Sequence, residues 1–100
     1  MPKLEDINKI IEAQGALSRQ IGESHELNEI STQLTHLHTL LQSGSNASAT
    51  DIEEQSIQLE SFCRALVQQL KDDSLDPEAE VSAEKIKKLS THFRRSCRFK

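Results

Sequence analysis

The feature that most constrains this chain is a run of apolar residues at intervals of three, four, three and four: Leu27, Ile30, Leu34, Leu37 and Leu41. A helix turns about 100° per residue, so this spacing gathers all five side chains on one narrow stripe. A strand would need a period of two. A stripe of aliphatic side chains must be covered, and a narrow one is covered most simply by the stripes of other helices.

Three further segments repeat the pattern. Over 4–21 the stripe is Leu4, Ile7, Ile11, Leu17 and Ile21, with Ile10 and Ala13 beside it and Gln14 interrupting it. Gly22 is placed to end that helix, because it accepts a positive φ at no steric cost. Ser24 is the natural N-cap of the segment over 25–42, which runs out into Ser43-Gly44-Ser45-Asn46-Ala47-Ser48, a loop composition. Thr50-Asp51-Ile52-Glu53 reads as a capping box opening a third helix. Its stripe is Ile52, Ser56, Leu59, Cys63, Leu66 and Leu70, and Asp72-Asp73-Ser74 stops it. Asp76 as cap and Pro77 at the first helical position open a fourth, with Ala79, Ala83, Ile86, Leu89 or Ser90, Phe93 and Cys97 on its stripe.

Composition agrees with helices. The aromatics are Phe62, Phe93 and Phe99, and valine occurs only as Val67 and Val81, too few of the residues that favour sheets. The expected fold is all-α: an antiparallel up-down four-helix bundle, with residues 1–100 a single domain. A helical hairpin that dimerises satisfies the same stripes, so monomer and homodimer both stay open.

The net charge of −4 conceals an asymmetry. Residues 1–84 hold 16 acids and 5 bases, whereas 85–100 hold seven bases and no acid. The basic end has three readings: it folds back on the acidic bundle, it is a solvated tail, or it engages a polyanion such as nucleic acid or an anionic surface. Nucleic-acid modules are usually basic throughout, which makes an acidic protein partner or the bundle itself the better match. No apolar run approaches the ~20 residues that span a bilayer, and Met1–Asp6 carries acids where a signal peptide needs apolar residues. A cytoplasmic location is the expectation.

Chemistry-bearing constellations are sparse. His36 and His38 are two apart and do not share a helix face, His25 and His92 lie in other segments, and no metal-ligand spacing occurs. No nucleophile–base pairing and no phosphate-cradling glycine loop is present, so neither a cofactor nor an enzymatic activity is expected. Cys63 and Cys97 both fall on stripes. A hairpin turning near residue 74 puts them some 13 residues apart in level, ~20 Å at 1.5 Å per residue, beyond disulfide range.

One stretch resembles a known family. His38-Thr39-Leu40-Leu41-Gln42-Ser43, continuing through Asn46, Ala49, Ile52, Ser56, Leu59 and Glu60, is similar to the core of histidine phosphotransfer (HPt) domains. The resemblance implies a four-helix bundle whose second helix carries the phospho-acceptor, here His38, and whose partner is a receiver domain. Leu41 and Gln42 stand where that family has Lys and Gly, the residues that offset phosphate charge and admit the partner's backbone. The matched stretch covers about 23 of 100 residues.

The residues therefore point to a small helical adaptor or regulator acting by protein–protein binding. Candidate contact residues are His36, His38 and Gln42 on the second helix and Lys85, Lys88, Arg94, Arg95 and Arg98 on the fourth. Phosphorelay through His38 is the alternative, and polyanion binding through residues 85–100 a third.

Overall fold

A computed structural model describes residues 4–22, 24–42, 49–73 and 77–97. They form four helices: α1 (Leu4–Ile21), α2 (His25–Gln42), α3 (Ala49–Asp73) and α4 (Pro77–Ser96). The elements follow from local chemistry. Ser24 Oγ accepts from the Leu27 amide at 3.1 Å, capping α2. Gly22 takes φ +78°, the left-handed conformation that turns the chain out of α1. Pro77 is the first residue of α4.

The helices pack in a ring, each against its two neighbours, with no close backbone approach across either diagonal. The end of α1, the start of α2, the end of α3 and the start of α4 meet at one end of the molecule, where Ile21, Ser24, Leu66, Leu70 and Ala79 line one small cavity. Alternate helices therefore run in opposite directions. This is the antiparallel up-down bundle, 43 × 22 × 19 Å, and one chain supplies all four helices of the core, so no second copy is needed to complete it.

The core is aliphatic, with Phe93 its one fully buried aromatic among the described residues. The α2 and α3 stripes are as expected, except that Leu41 is only half-buried. In α1, Ile10 takes the core position and Ile11 is 37% exposed. The true spacing is Ile7, Ile10, Gln14, Leu17 and Ile21, the same three-four alternation as in α2, with Gln14 standing half-buried on the stripe rather than breaking it. In α4, Ser90 is buried and Leu89 half-buried. Helix α3 begins at Ala49, so Thr50 lies inside the first turn and is not the cap. Ser43–Ser48 and Asp76 lie outside the described residues.

Among the described residues four polar side chains are buried: Gln33, Ser56, Glu60 and Ser90. Each is answered by a partner. Gln33 Nε2 donates across the α2–α3 interface to the Gln55 carbonyl at 3.2 Å and to the Gln55 side-chain oxygen. Ser56 Oγ donates to the Glu53 carbonyl at 2.6 Å. Ser90 Oγ lies 3.1 Å from Cys63 Sγ. Among the described residues no buried side-chain nitrogen or oxygen is left unbonded, as a low-dielectric interior requires.

These contacts also fix the α3–α4 register. Cys63 stands level with Ser90, and Cys97 lies beside Ser56. The hairpin's midpoint thus falls between residues 76 and 77, later than the expected 74. The two cysteines are seven residues apart in level, ~10 Å rather than ~20 Å. Both thiols are free and buried.

Candidate functional site

The outer face of α2 differs in kind from the rest of the surface. Its exposed residues are His25, Asn28, Ser31, Thr32, Thr35, His36, Thr39 and Gln42, none with a permanent charge. This is unusual in a chain whose charged residues are 28% of the total. Three of the threonines return their hydroxyls to their own helix: Thr32 to the Asn28 carbonyl at 2.9 Å, Thr35 to that of Ser31 at 3.0 Å, and Thr39 to that of Thr35 at 3.0 Å. A threonine that donates four residues back has spent its hydroxyl hydrogen, and its methyl group becomes the main feature it offers a neighbour. Ser31, Thr32, Thr35, His36, Thr39 and Leu40 line a shallow, open depression of about 500 Å³ on this face.

The histidines divide as their spacing requires. His36 lies on the open face, while His38 is half-buried at the border of the stripe. Gln42, the last residue of α2, is exposed. His25 pairs with Glu29 one turn along the same helix, and His92 stands apart on α4. No group of His, Cys, Asp and Glu able to hold a metal ion occurs among the described residues.

The basic candidates on α4 separate into two sets. Lys85, Lys88 and Arg95 are exposed, as is His92. Arg94 is turned inward: its Nε donates to Glu60 Oε2 at 2.9 Å, and its side chain is only 21% exposed. Arg98 lies outside the described residues. Arg94 is thereby committed to the bundle, the fold-back that the charge asymmetry allowed.

Glu60 is the one buried carboxylate among the described residues. Arg94 reaches it from α4, and Arg64, one turn along α3, reaches its other oxygen at 3.2 Å. Burial by itself raises its pKa. The hydrogen bonds from Arg94 and Thr91 and the charges of Arg94 and Arg64 together outweigh that effect, leaving the carboxyl below its ordinary value. The thiols go the other way. Burial pushes Cys63 and Cys97 each up to about 11, against the lowering effect of the neighbouring hydroxyls of Ser90 and Ser56 respectively.

The apolar period did not single out the α2 face, because a period finds what is buried. The signal that marks it is elsewhere: no Asp, Glu, Lys or Arg occurs between Glu29 and Asp51. A stripe search also misses which apolar side chains stay exposed: among the described residues the large ones are Ile11, which the period put on the α1 stripe, Ile57 and Val81.

No family model, curated protein or solved structure matches this chain.

Proposed function

We propose that this chain is a non-enzymatic protein-binding module that docks a partner through the outer face of α2. The observation that supports this most directly is the absence of permanent charge from all eight exposed residues of that helix. The centres of protein interfaces are depleted of charge, because a buried ion must be desolvated and matched. A face of threonine methyls, imidazole and amide groups loses little on desolvation and accepts a helix of similar character. His36 and Gln42 lie within it, and His38 at its edge.

Affinity capture from the native cell, followed by sedimentation of the purified pair, tests the reading. The wild-type chain recovers a defined protein in fixed stoichiometry. Thr35→Arg melts at the wild-type temperature yet loses that protein, because a guanidinium is introduced where the contact must be dry. A Thr35→Arg chain that keeps the partner, or a wild-type chain that recovers none, overturns it.

Phosphorelay through His38 is the second reading. It is favoured by a half-exposed histidine on the second helix of a four-helix bundle, where the HPt resemblance sets the phospho-acceptor. Against it, Leu41 supplies no cation one turn on. Incubation with a small-molecule phosphodonor or a phosphorylated receiver domain gives an acid-labile label on wild type and none on His38→Gln if the reading holds. No label, or equal label on both, removes it.

A further inference from the structure

We propose that the outer face of α4 is a second docking surface, which receives an acidic, helix-length segment of another protein. Lys85, Lys88, His92 and Arg95 recur at intervals of three, four and three, all exposed, and so form one strip ~15 Å long. None of its three permanent cations is paired with a described carboxylate. The bases on the α3 side of α4 behave oppositely: Lys87 reaches Glu84 at 3.7 Å, Lys71 of α3 reaches the same residue at 3.5 Å, and Arg94 holds Glu60. Positive charge facing α3 is neutralised, and positive charge facing outward is not.

Folding gives no reason for the strip. The helix dipole favours cations only in the last turn, and Lys85 and Lys88 lie two and more turns before Ser96. Like charges three and four residues apart weaken a helix. A partner that supplies the missing carboxylates accounts for both facts.

An apolar contact makes a protein the favoured occupant. Val81, 70% exposed, stands at the start of the strip. It lines an open depression of about 610 Å³ with Leu89, Lys85, Lys88, Lys71, Glu80 and Glu84. A phosphodiester backbone or a lipid headgroup layer makes no use of an isolated valine, and the net −11 of residues 1–84 repels any polyanion long enough to run past the strip. Glu80 and Glu84 also give the site a direction. The partner sets an apolar side chain over Val81 and its carboxylates toward Lys88 and Arg95. These residues are separate from the α2 face, so either surface can fail alone.

The test uses the full chain and a fluorescein-labelled helical peptide of roughly four turns, with one leucine followed by glutamates at three-four spacing. Its controls are a scrambled peptide of the same composition, a single-stranded DNA of equal charge, and phosphatidylcholine vesicles containing phosphatidylserine. The patterned peptide should bind best. Its affinity should fall on the order of tenfold in near-molar salt, where the Debye length is about 3 Å, and by a similar factor in Lys85→Gln/Lys88→Gln/Arg95→Gln, whose circular dichroism should be unchanged. Val81→Ser should weaken the patterned peptide and leave DNA binding as it was. Tighter binding of DNA or vesicles, equal binding of the scrambled peptide, or no binding of the patterned one overturns the proposal.

Discussion

Arg94 Nε and Glu60 Oε2 meet at 2.9 Å across the α3–α4 interface, and the carboxylate is only 8% exposed. The pair sits between the two thiol–hydroxyl contacts of the same interface, Cys97 with Ser56 and Cys63 with Ser90. A buried pair of this kind adds little net stability, yet losing one member strands the other charge.

Arg94→Leu should therefore destabilise the bundle by about 3 kcal/mol, the lower end of the range for breaking a buried pair, because Arg64 still reaches the carboxylate. The double variant Glu60→Leu/Arg94→Leu should recover most of that loss. Urea unfolding of the four members of the cycle measures both effects. A double variant as unstable as the single one would contradict the desolvation account.

Acid should act through the same carboxyl. Glu60 is held below its ordinary value of 4.5 in the folded chain, so the unfolded chain takes up a proton first as pH falls. Its contribution is fully present above about pH 4.5 and is lost as pH drops through the lower folded value. Thermal melts between about pH 6 and pH 3 should show the wild-type midpoint falling below pH 4.5. Glu60→Gln should start lower and follow a flatter curve. Parallel curves would exclude Glu60 as the group responsible.

Cys63 and Cys97 should resist alkylation in the native state. Both are buried, and burial raises each pKa to about 11, so almost no thiolate exists near neutral pH. Iodoacetamide should label them only at the rate of opening, with both appearing together in denaturant. Rapid labelling of Cys97 in the folded protein would show that the end of α4 frays.

Two glycines should respond to alanine with opposite signs. At Gly15, inside α1, an added Cβ meets nothing nearer than Arg19 Nη2 at 3.8 Å, so Gly15→Ala should stabilise by about 0.5–1 kcal/mol through helix propensity. That corresponds to a rise of a few degrees in Tm for a chain of this size. Gly22 has φ +78° with open space around it, so Gly22→Ala should lose about 1 kcal/mol by conformation alone. Calorimetry of the two variants decides the matter, and a matched sign would refute it.

The sequence made most of the bundle legible, and the exceptions have specific causes. Helix α2 could be read whole, because its stripe is uninterrupted and Ser24 caps it. In α1 the adjacent Ile10 and Ile11 offered two stripes, and the polarity of Gln14 hid the one that keeps the three-four spacing. Gln33 and Glu60 were invisible as interior groups because burial of a polar residue depends on its partner. Their partners, Gln55 and Arg94, lie 22 and 34 residues away. The candidate surfaces were half legible. The basic end announced itself through charge, but which bases face outward depends on which find an acid across the α3–α4 interface, and that awaited the register.

The seven-residue offset between the levels of Cys63 and Cys97 sets what a disulfide between them would require. Sliding α4 by two turns along α3, ~10 Å, would bring Cys97 opposite Cys63 and carry Arg94 away from Glu60. An intramolecular disulfide in this chain would then count slipped hairpins, trapped by oxidation, and its abundance after refolding in air would measure how firmly the Arg94–Glu60 contact selects the native alignment.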